Sequence, residues 1–315
     1  MLNSGGDLKA FVSIIICTYN RAPLLKRALK SLSRQTLKPD QFEVIVVDDG
    51  SIDNTTEVCE VMSHEIPNIK YRSTGKNTGT SSAANLGVQS AKGDYLIFTD
   101  DDCIAREDWA ERMRDALMKY PLIAGSVTSP TSNFIKHCHN IAEFHPFMQG
   151  RKEGPVDFIA GANMGFRRSL FEELKGFNND FPKGPDMHFI LRARQEGYRI
   201  YFIPDAVITH DHNRTSLSHI FRYSADHASQ TIILRNKFRL LLHTPFILRS
   251  PVLILVAAPV IAFKVTAGIY LRNINNAKLI WTAPVVYALK LAWCWGAARG
   301  LSNWNKAERK HEQRN

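Results

Sequence analysis

An apolar run from Tyr95 to Thr99 (YLIFT) ends in Asp100-Asp101-Asp102. A strand's period of two sends residues 100 and 102 to the same side. Two carboxylates converging there repel one another unless a cation or a hydrogen-bond donor answers them. They also offer the hard oxygen ligands that suit Mg²⁺ or Mn²⁺. Because Mg²⁺ takes one or two carboxylates and completes its shell with waters and substrate phosphates, the pattern predicts a nucleoside diphosphate as the missing ligand. The structural alternative is an acidic loop that caps the next helix, with Glu107 and Asp108 in its first turn. A second acidic pair, Asp48-Asp49, follows Phe42 to Val47 (FEVIVV) and precedes Gly50-Ser51. A helix cap and a turn account for that pair as well as a ligand does.

These acids need strands to carry them. Phe11 to Cys17 (FVSIIIC) is a nearly continuous β-branched run, as in a strand buried on both faces. Leu24, Leu25, Ala28, Leu29 and Leu32 follow at helical spacing. The pattern then predicts strands at 42–47, 69–72 and 95–99, with helices at 55–62 and 81–91. Strand and helix alternating in this way make a parallel sheet with helices on its faces, and ligands bind such sheets beyond the carboxyl ends of the strands. Past Pro121 the reading gives strands at 122–127, 158–166 and 199–203 and helices at 186–196 and 216–243. His137-Cys138-His139 lacks an evident fourth zinc ligand and reads as a surface loop.

The chain has 315 residues, 44% hydrophobic and 22% charged, with a mean hydropathy of −0.20. This composition excludes wholesale disorder and a membrane protein spread along the whole chain. The net charge of +10 is uneven. Residues 235–315 carry 13 Lys and Arg against 2 Asp and Glu, and the remainder is nearly balanced. Two apolar segments, about 245–271 and 279–298, lie in that basic tail, interrupted by Lys264 and Lys290, with Trp281, Trp293 and Trp295 inside the second and Trp304 just beyond it. A basic, apolar, Trp-bearing tail points to an anionic membrane surface and not to nucleic acid. A pair of buried core helices is the alternative. Five cysteines without a Cys-x-x-Cys pair fit a reducing compartment. The N-terminal MLNSGGDLKA has no apolar core that would direct export.

Thr18-Tyr19-Asn20-Arg21 after the first strand, Val47-Asp48-Asp49-Gly50-Ser51 after the second and the Asp-x-Asp after the fourth share an order and spacing. Together they resemble a family 2 glycosyltransferase of the GT-A fold, of the bacterial membrane-associated type, over about residues 11–212. Gly75-Lys76-Asn77-Thr78-Gly79 resembles that family's Asn-x-Gly segment, with Ala83, Asn85 and Gly87 in the next helix. The resemblance implies an α/β fold: a Rossmann-like, mostly parallel sheet with helices on both faces in a domain at 1–213. A helical, membrane-associated region at 214–315 would follow.

The resemblance also implies roles. Thr18, Tyr19, Asn20, Arg21 and Asp101 would lie on the donor nucleotide's side. Asp49 would accept from a uracil N–H with Asp48 beside it, and Asn77 and Gly79 would line the base and ribose. Asp100 would lie against the ribose or metal, Asp102 would bind the metal (Mn²⁺ or Mg²⁺), and His210 would touch metal or diphosphate. Gly161 and Asn163 would lie near sugar and acceptor. Gly184-Pro185-Asp186 resembles the family's Gly-Glu-Asp, whose last Asp is the base in inverting members. Here Pro185 replaces the Glu and His188 replaces a further Asp downstream.

The implied activity is inverting transfer of a sugar from a nucleoside-diphosphate sugar, UDP-linked by preference, to a glycan or lipid-linked acceptor. It would serve surface polysaccharide synthesis at the cytoplasmic face of the cell membrane, with a homo-oligomer left open. The rivals are a polyprenyl-phosphate glycosyltransferase, which usually carries Tyr-Asn-Glu where this chain has Tyr-Asn-Arg, and a non-catalytic membrane-bound nucleotide-sugar binding protein.

Overall fold

The computed structural model describes residues 11–130, 133–148, 150–179, 184–271 and 277–312. The N-terminal MLNSGGDLKA lies outside them. The chain divides into two compact units, Met1–Thr128 with Lys152–His212, and Ser129–Arg151 with Asn213–Asn315. The sequence reading ran the first domain unbroken to 213 and did not separate 129–151.

Among the described residues the first unit holds every strand: β1 (Val12–Thr18), β2 (Phe42–Asp48), β3 (Ile69–Ser73), β4 (Tyr95–Asp100), β5 (Cys103–Ala105), β6 (Leu122–Thr128), β7 (Gly154–Val156), β8 (Asn163–Arg167) and β9 (Ile200–His210). They form one sheet in the order β3-β2-β1-β4-β8-β6-β9-β5, with β7 also on β9. The half made of β3, β2, β1 and β4 is parallel throughout. The other half is mixed: β8 lies antiparallel between β4 and β6, and β9 runs parallel to β6. Ile14, Ile15 and Ile16 of β1 and Val44 to Val47 of β2 are fully buried, as their β-branched runs require. Helix α1 (Ala22–Leu32) buries Leu24, Leu25, Ala28, Leu29 and Leu32. Helix α2 is Thr55–Ser63 and α3 is Thr80–Ser90. In α3 a Cβ on Gly87 would lie 2.6 Å from Ile15 Cγ2, so the missing side chain lets the helix sit close on β1. Helices α4 (Trp109–Lys119), α6 (Arg168–Glu173) and α7 (Pro185–Gln195) complete this unit; α5 belongs to the second.

Register places the chemistry. Thr18 pairs with Asp48 and Cys17 with Asp100, so β1, β2 and β4 all end on one edge of the sheet at the same level. On the other side of Asp102, Cys103 of β5 pairs antiparallel with His210, the last residue of β9.

The second unit contains α5 (Phe134–Phe144), α8 (Leu217–Lys237), α9 (Pro251–Leu271) and α10 (Ala283–Glu312). The stretch around His137 to His139, expected as a surface loop, is helical, with Cys138 and His139 buried. Asn133 starts that helix by accepting from the N–H groups of Ile135 and Lys136. The expected strand at 158–166 shortens to Asn163–Arg167, and the expected helix at 216–243 stops at Lys237. The apolar segment at 279–298 is a core helix: Val286, Leu289, Cys294 and Ala297 are fully buried. Lys290 does not interrupt it, because its Nζ donates to the Ala142 carbonyl at 2.6 Å. Gly296 and Gly300, one turn apart, let α10 approach the backbone of α8. A Cβ on Gly300 would fall 2.6 Å from Ser229 Cα.

Gly300→Leu is therefore expected to destabilise the protein by about 1–3 kcal/mol through overpacking. Thermal unfolding followed by circular dichroism checks this. An unchanged midpoint would remove the close approach as a structural requirement.

Candidate functional site

The turn after β4 carries the acids. Asp102 is buried, with Oδ1 3.3 Å from His210 Nε2 and Oδ2 2.5 Å from Arg21 Nη2. Its carbonyl accepts from the Asp211 N–H at 2.8 Å, and Asp211 pairs with Arg27, so two elements fix the segment that holds His210. Ligand atoms of Asp100, Asp102, Cys103 and His210 all lie within 4.8 Å of one another. The two carboxylates match the oxygen-donor preference of Mn²⁺ and Mg²⁺, and the imidazole adds a nitrogen donor beside them. The Cys103 thiol fits less well, because burial and then the charge of Asp102 push its pKa well above the usual range and keep it protonated.

Asp100 presents surface to solvent, but its carboxyl is crowded. Desolvation, then the charges of Asp102 and Asp101, raise its pKa to about 8 against the pull of Arg21, and Asp186 adds to the rise. Burial and two neighbouring like charges push the Asp100 carboxyl toward its protonated form.

Asp186 reaches the same region from another part of the chain. Gly184 sits at φ +75° and Pro185 opens α7, which places Asp186 in the first turn. A Cβ on Gly161 would lie 2.9 Å from Asp186 Cγ, so the carboxylate packs on the bare glycine. The structure thus brings Gly161 and Asp186 together, within electrostatic reach of Asp100.

Other expected site residues organise loops. Asp49 Oδ1 accepts from Thr74 Oγ1 at 3.0 Å, the Thr78 N–H at 2.9 Å and Thr78 Oγ1 at 2.8 Å, while Oδ2 accepts from the Gly79 N–H at 2.8 Å. Oδ1 is saturated and Oδ2 keeps one acceptor direction. Gly50, at φ +82°, lies so close beneath this loop that a Cβ would sit 2.6 Å from the Lys76 backbone. Asn77 is exposed at the top of the loop and Gly79 is the N-cap of α3. Asn20, at φ +53°, donates its N–H to Ser51 Oγ and accepts from the Ile52 N–H, both at 2.8 Å, which stitches the first loop to the second. Tyr19 beside it is 44% exposed.

Four expected site residues turn inward. Asp48 is buried, accepting from the Ser51 N–H at 2.8 Å and Tyr71 Oη at 2.7 Å, so it holds the turn and does not face a ligand. Asp101 is buried against Thr18 Oγ1 at 2.8 Å and Arg21 Nη1 at 2.8 Å, which directs both Asp101 and Thr18 inward. Asn163 is fully buried; it accepts from Trp109 Nε1 and donates to the Ser126 and Ala206 carbonyls, all at 2.9 Å. It braces the strands and leaves nothing for a sugar. Sequence reasoning missed Thr74 and Thr78, whose only signal is that hydroxyls flank a glycine loop facing Asp49. It also missed Cys103, which the antiparallel pairing of β5 brings in.

With this geometry in place, comparison with known proteins is informative. The model for Glycosyl transferase family 2 matches residues 13–175, and that for Glycosyl transferase family group 2 matches residues 95–299. Among curated relatives, glycosyltransferase AglE of Haloferax volcanii is 28% identical over 202 residues, 64% of this chain and 66% of that protein. O-antigen chain rhamnosyltransferase RfbN of Salmonella typhimurium is 27% identical, covering 67% and 70%. YwdF of Bacillus subtilis, an uncharacterized glycosyltransferase, is 30% identical, covering 62% and 72%. Among solved structures, mannosyltransferase PcManGT of Pyrobaculum calidifontis, in complex with GDP-Man and Mn²⁺, has a TM-score of 0.64 at 22% identity, over 94% of this chain and 87% of that one. At that identity the likeness is one of fold, and it covers the GT-A architecture that the sequence implied.

The raised pKa of Asp100 sets a pH dependence. Without metal, the folded protein holds a proton there that the unfolded chain, with an ordinary aspartate, releases. This group's contribution therefore makes stability fall as pH rises from the ordinary aspartate range to about 8. Were Mn²⁺ to take Asp100 as a ligand, it would displace the same proton, and affinity would then fall about tenfold per pH unit below that value. Thermal melts in EDTA and Mn²⁺ titrations across pH check both. Mn²⁺ affinity independent of pH would place the ion away from Asp100.

Proposed function

The chain belongs to glycosyl transferase family 2, and from that premise we propose that it transfers a sugar from a nucleoside-diphosphate sugar to a hydroxyl of a glycan or lipid-linked acceptor, with inversion, in polysaccharide synthesis. The observation that carries this reading is the convergence of Asp100, Asp102 and His210, with Asp186 near enough to raise the pKa of Asp100. One cluster offers cation ligands, and a separate carboxylate is available as a base.

In this reading Asp100, Asp102 and His210 would hold a divalent ion, Mn²⁺ or Mg²⁺, which would supply positive charge to the departing diphosphate. The fold relative solved with GDP-Man and Mn²⁺ supports that assignment. The loop pinned by Asp49 and Gly50 lies against the nucleoside, with Tyr19 and Asn77 exposed toward it. Asp186 accepts the proton of the acceptor hydroxyl as its oxygen bonds to the anomeric carbon, while the bond from that carbon to the diphosphate oxygen breaks. A single attack from the face opposite the leaving group inverts the configuration. Gly161 keeps a side chain out of the space beside Asp186.

The second unit is assigned to the membrane. Among the described residues, α9 is the one helix long and apolar enough to cross a bilayer. Val252, Val256, Val260 and Phe263 lie exposed along it, where a soluble core helix would be covered. With the basic charge of residues 235–315, this favours an anionic lipid surface at the cytoplasmic face and a lipid-linked acceptor drawn from it.

Asp186→Asn is expected to lower kcat by about 10²- to 10⁴-fold with little change in donor binding, and Asp102→Asn to weaken Mn²⁺-dependent donor binding as well. Nucleoside-diphosphate release from a panel of donors measures both. Near-normal turnover in Asp186→Asn would remove the base. Val256→Asp with Phe263→Asp should move the protein off anionic vesicles in co-sedimentation. Unchanged sedimentation would reject the lipid contact through α9.

A further inference from the structure

Arg21 spans the two buried aspartates like a clamp. Its Nη1 is 2.8 Å from Asp101 Oδ1 and its Nη2 is 2.5 Å from Asp102 Oδ2. The arginine side chain is 31% exposed, while both carboxylate side chains are 2% exposed. Arg21 is thus the partner that reaches the solvent side of the cluster. Its backbone is held in place: its carbonyl accepts from the Leu24 and Leu25 N–H groups at 2.9 and 3.1 Å, and Asp53 holds the next N–H, that of Ala22, at 3.0 Å. Movement is left to the long side chain.

Two features make this contact exchangeable. First, Asp101 has a second tie, to Thr18, and stays anchored without Arg21, whereas Asp102 faces His210 and Asp100 with its remaining oxygen in the ligand cluster. The oxygen of Asp102 that Arg21 occupies therefore belongs to the group with the best claim on a dication. Second, a guanidinium stays charged at any working pH, and a dication drawn to the same carboxylate repels it, so the two compete for Asp102. Its planar fork suits a diphosphate as well as it suits a carboxylate pair.

We infer that Arg21 is an exchangeable counterion for the donor site. In the free protein it neutralises Asp101 and Asp102. It gives up Asp102 when the dication enters, and its fork turns to the diphosphate oxygens. This rests on the proposed donor site and adds to it a residue that competes with the metal alone and cooperates with metal plus nucleotide.

The test is calorimetry on the full chain, with MnCl₂ alone and then with UDP or GDP at saturating Mn²⁺. Arg21→Gln should bind Mn²⁺ alone about tenfold more tightly and the nucleoside diphosphate about tenfold more weakly than wild type, within the usual range of coupling between sites. Arg21→Lys, which keeps the charge and loses the fork, should leave Mn²⁺ binding near wild type and still weaken the nucleotide. It carries the test if Arg21→Gln does not fold. Equal or weaker Mn²⁺ binding by Arg21→Gln, or undiminished nucleotide binding by either variant, overturns the inference while leaving the donor site in place. A folded wild type that binds neither Mn²⁺ nor nucleotide refutes the donor site itself.

Discussion

Three carboxylates on consecutive residues at the end of a buried strand form a concentration of like charge that the fold must answer. Asp101 and Asp102 are answered by Arg21, Thr18 and His210, and the pKa of Asp100 is pushed up by their charges and by desolvation. A sequence selected for stability alone has no reason to build this arrangement, since removing one acid relieves the repulsion. The rest of the first unit serves it. Parallel pairing brings β1, β2 and β4 to one level, and the antiparallel pair β5–β9 delivers His210 from over a hundred residues away.

Around that charge, the walls of the site are made by hydrogen bonds that fold loops onto strand ends. Four donors on the Asp49 carboxylate and the close backbone approach at Gly50 make the segment from Thr74 to Gly79 a fixed shelf. Asn20 ties the first loop to the second. Such preorganisation costs nothing at the moment of reaction, because the folded chain already holds the donors in place. It also separates two kinds of aspartate that look alike in sequence. Asp48 holds a turn and Asp101 ties Thr18 to Arg21, whereas Asp100 and Asp102 gather with His210 in one group of possible ligands.

The parallel half of the sheet was legible because its signals are local. Fully buried strands write themselves as β-branched runs, and turn residues mark where they end. The acidic pair Asp100 and Asp102 was readable as a candidate ligand set from residue type and spacing, whereas Gly161 and Asp186, which lie side by side, were named only through the family resemblance. What stayed hidden depends on distant packing. Asn163 in Gly-Ala-Asn reads as a polar loop residue until Trp109 and two carbonyls take up its amide. The histidines near Cys138 read as a loop until α5 packs in the second unit, where Ile141 and Ala142 join a core with Ile220, Val286 and Leu289. Lys290 reads as a break in an apolar segment, but its Nζ donates to the Ala142 carbonyl and its charge attracts Glu143, partners that no local pattern predicts. The two apolar segments of the tail look alike in composition, and burial distinguishes them: α10 is a core helix, while α9 keeps an exposed apolar surface.

The account's central claim is that the acidic cluster is a cation site addressed to a diphosphate. Anomalous diffraction from crystals grown with Mn²⁺ and a nucleoside diphosphate tests it most directly. The account predicts a single manganese peak at ligating distance, about 2.2 Å, from carboxylate oxygens of Asp102 or Asp100, with diphosphate oxygens completing its shell. A bound nucleotide with no manganese at these residues, or a manganese held elsewhere on the chain, would contradict it.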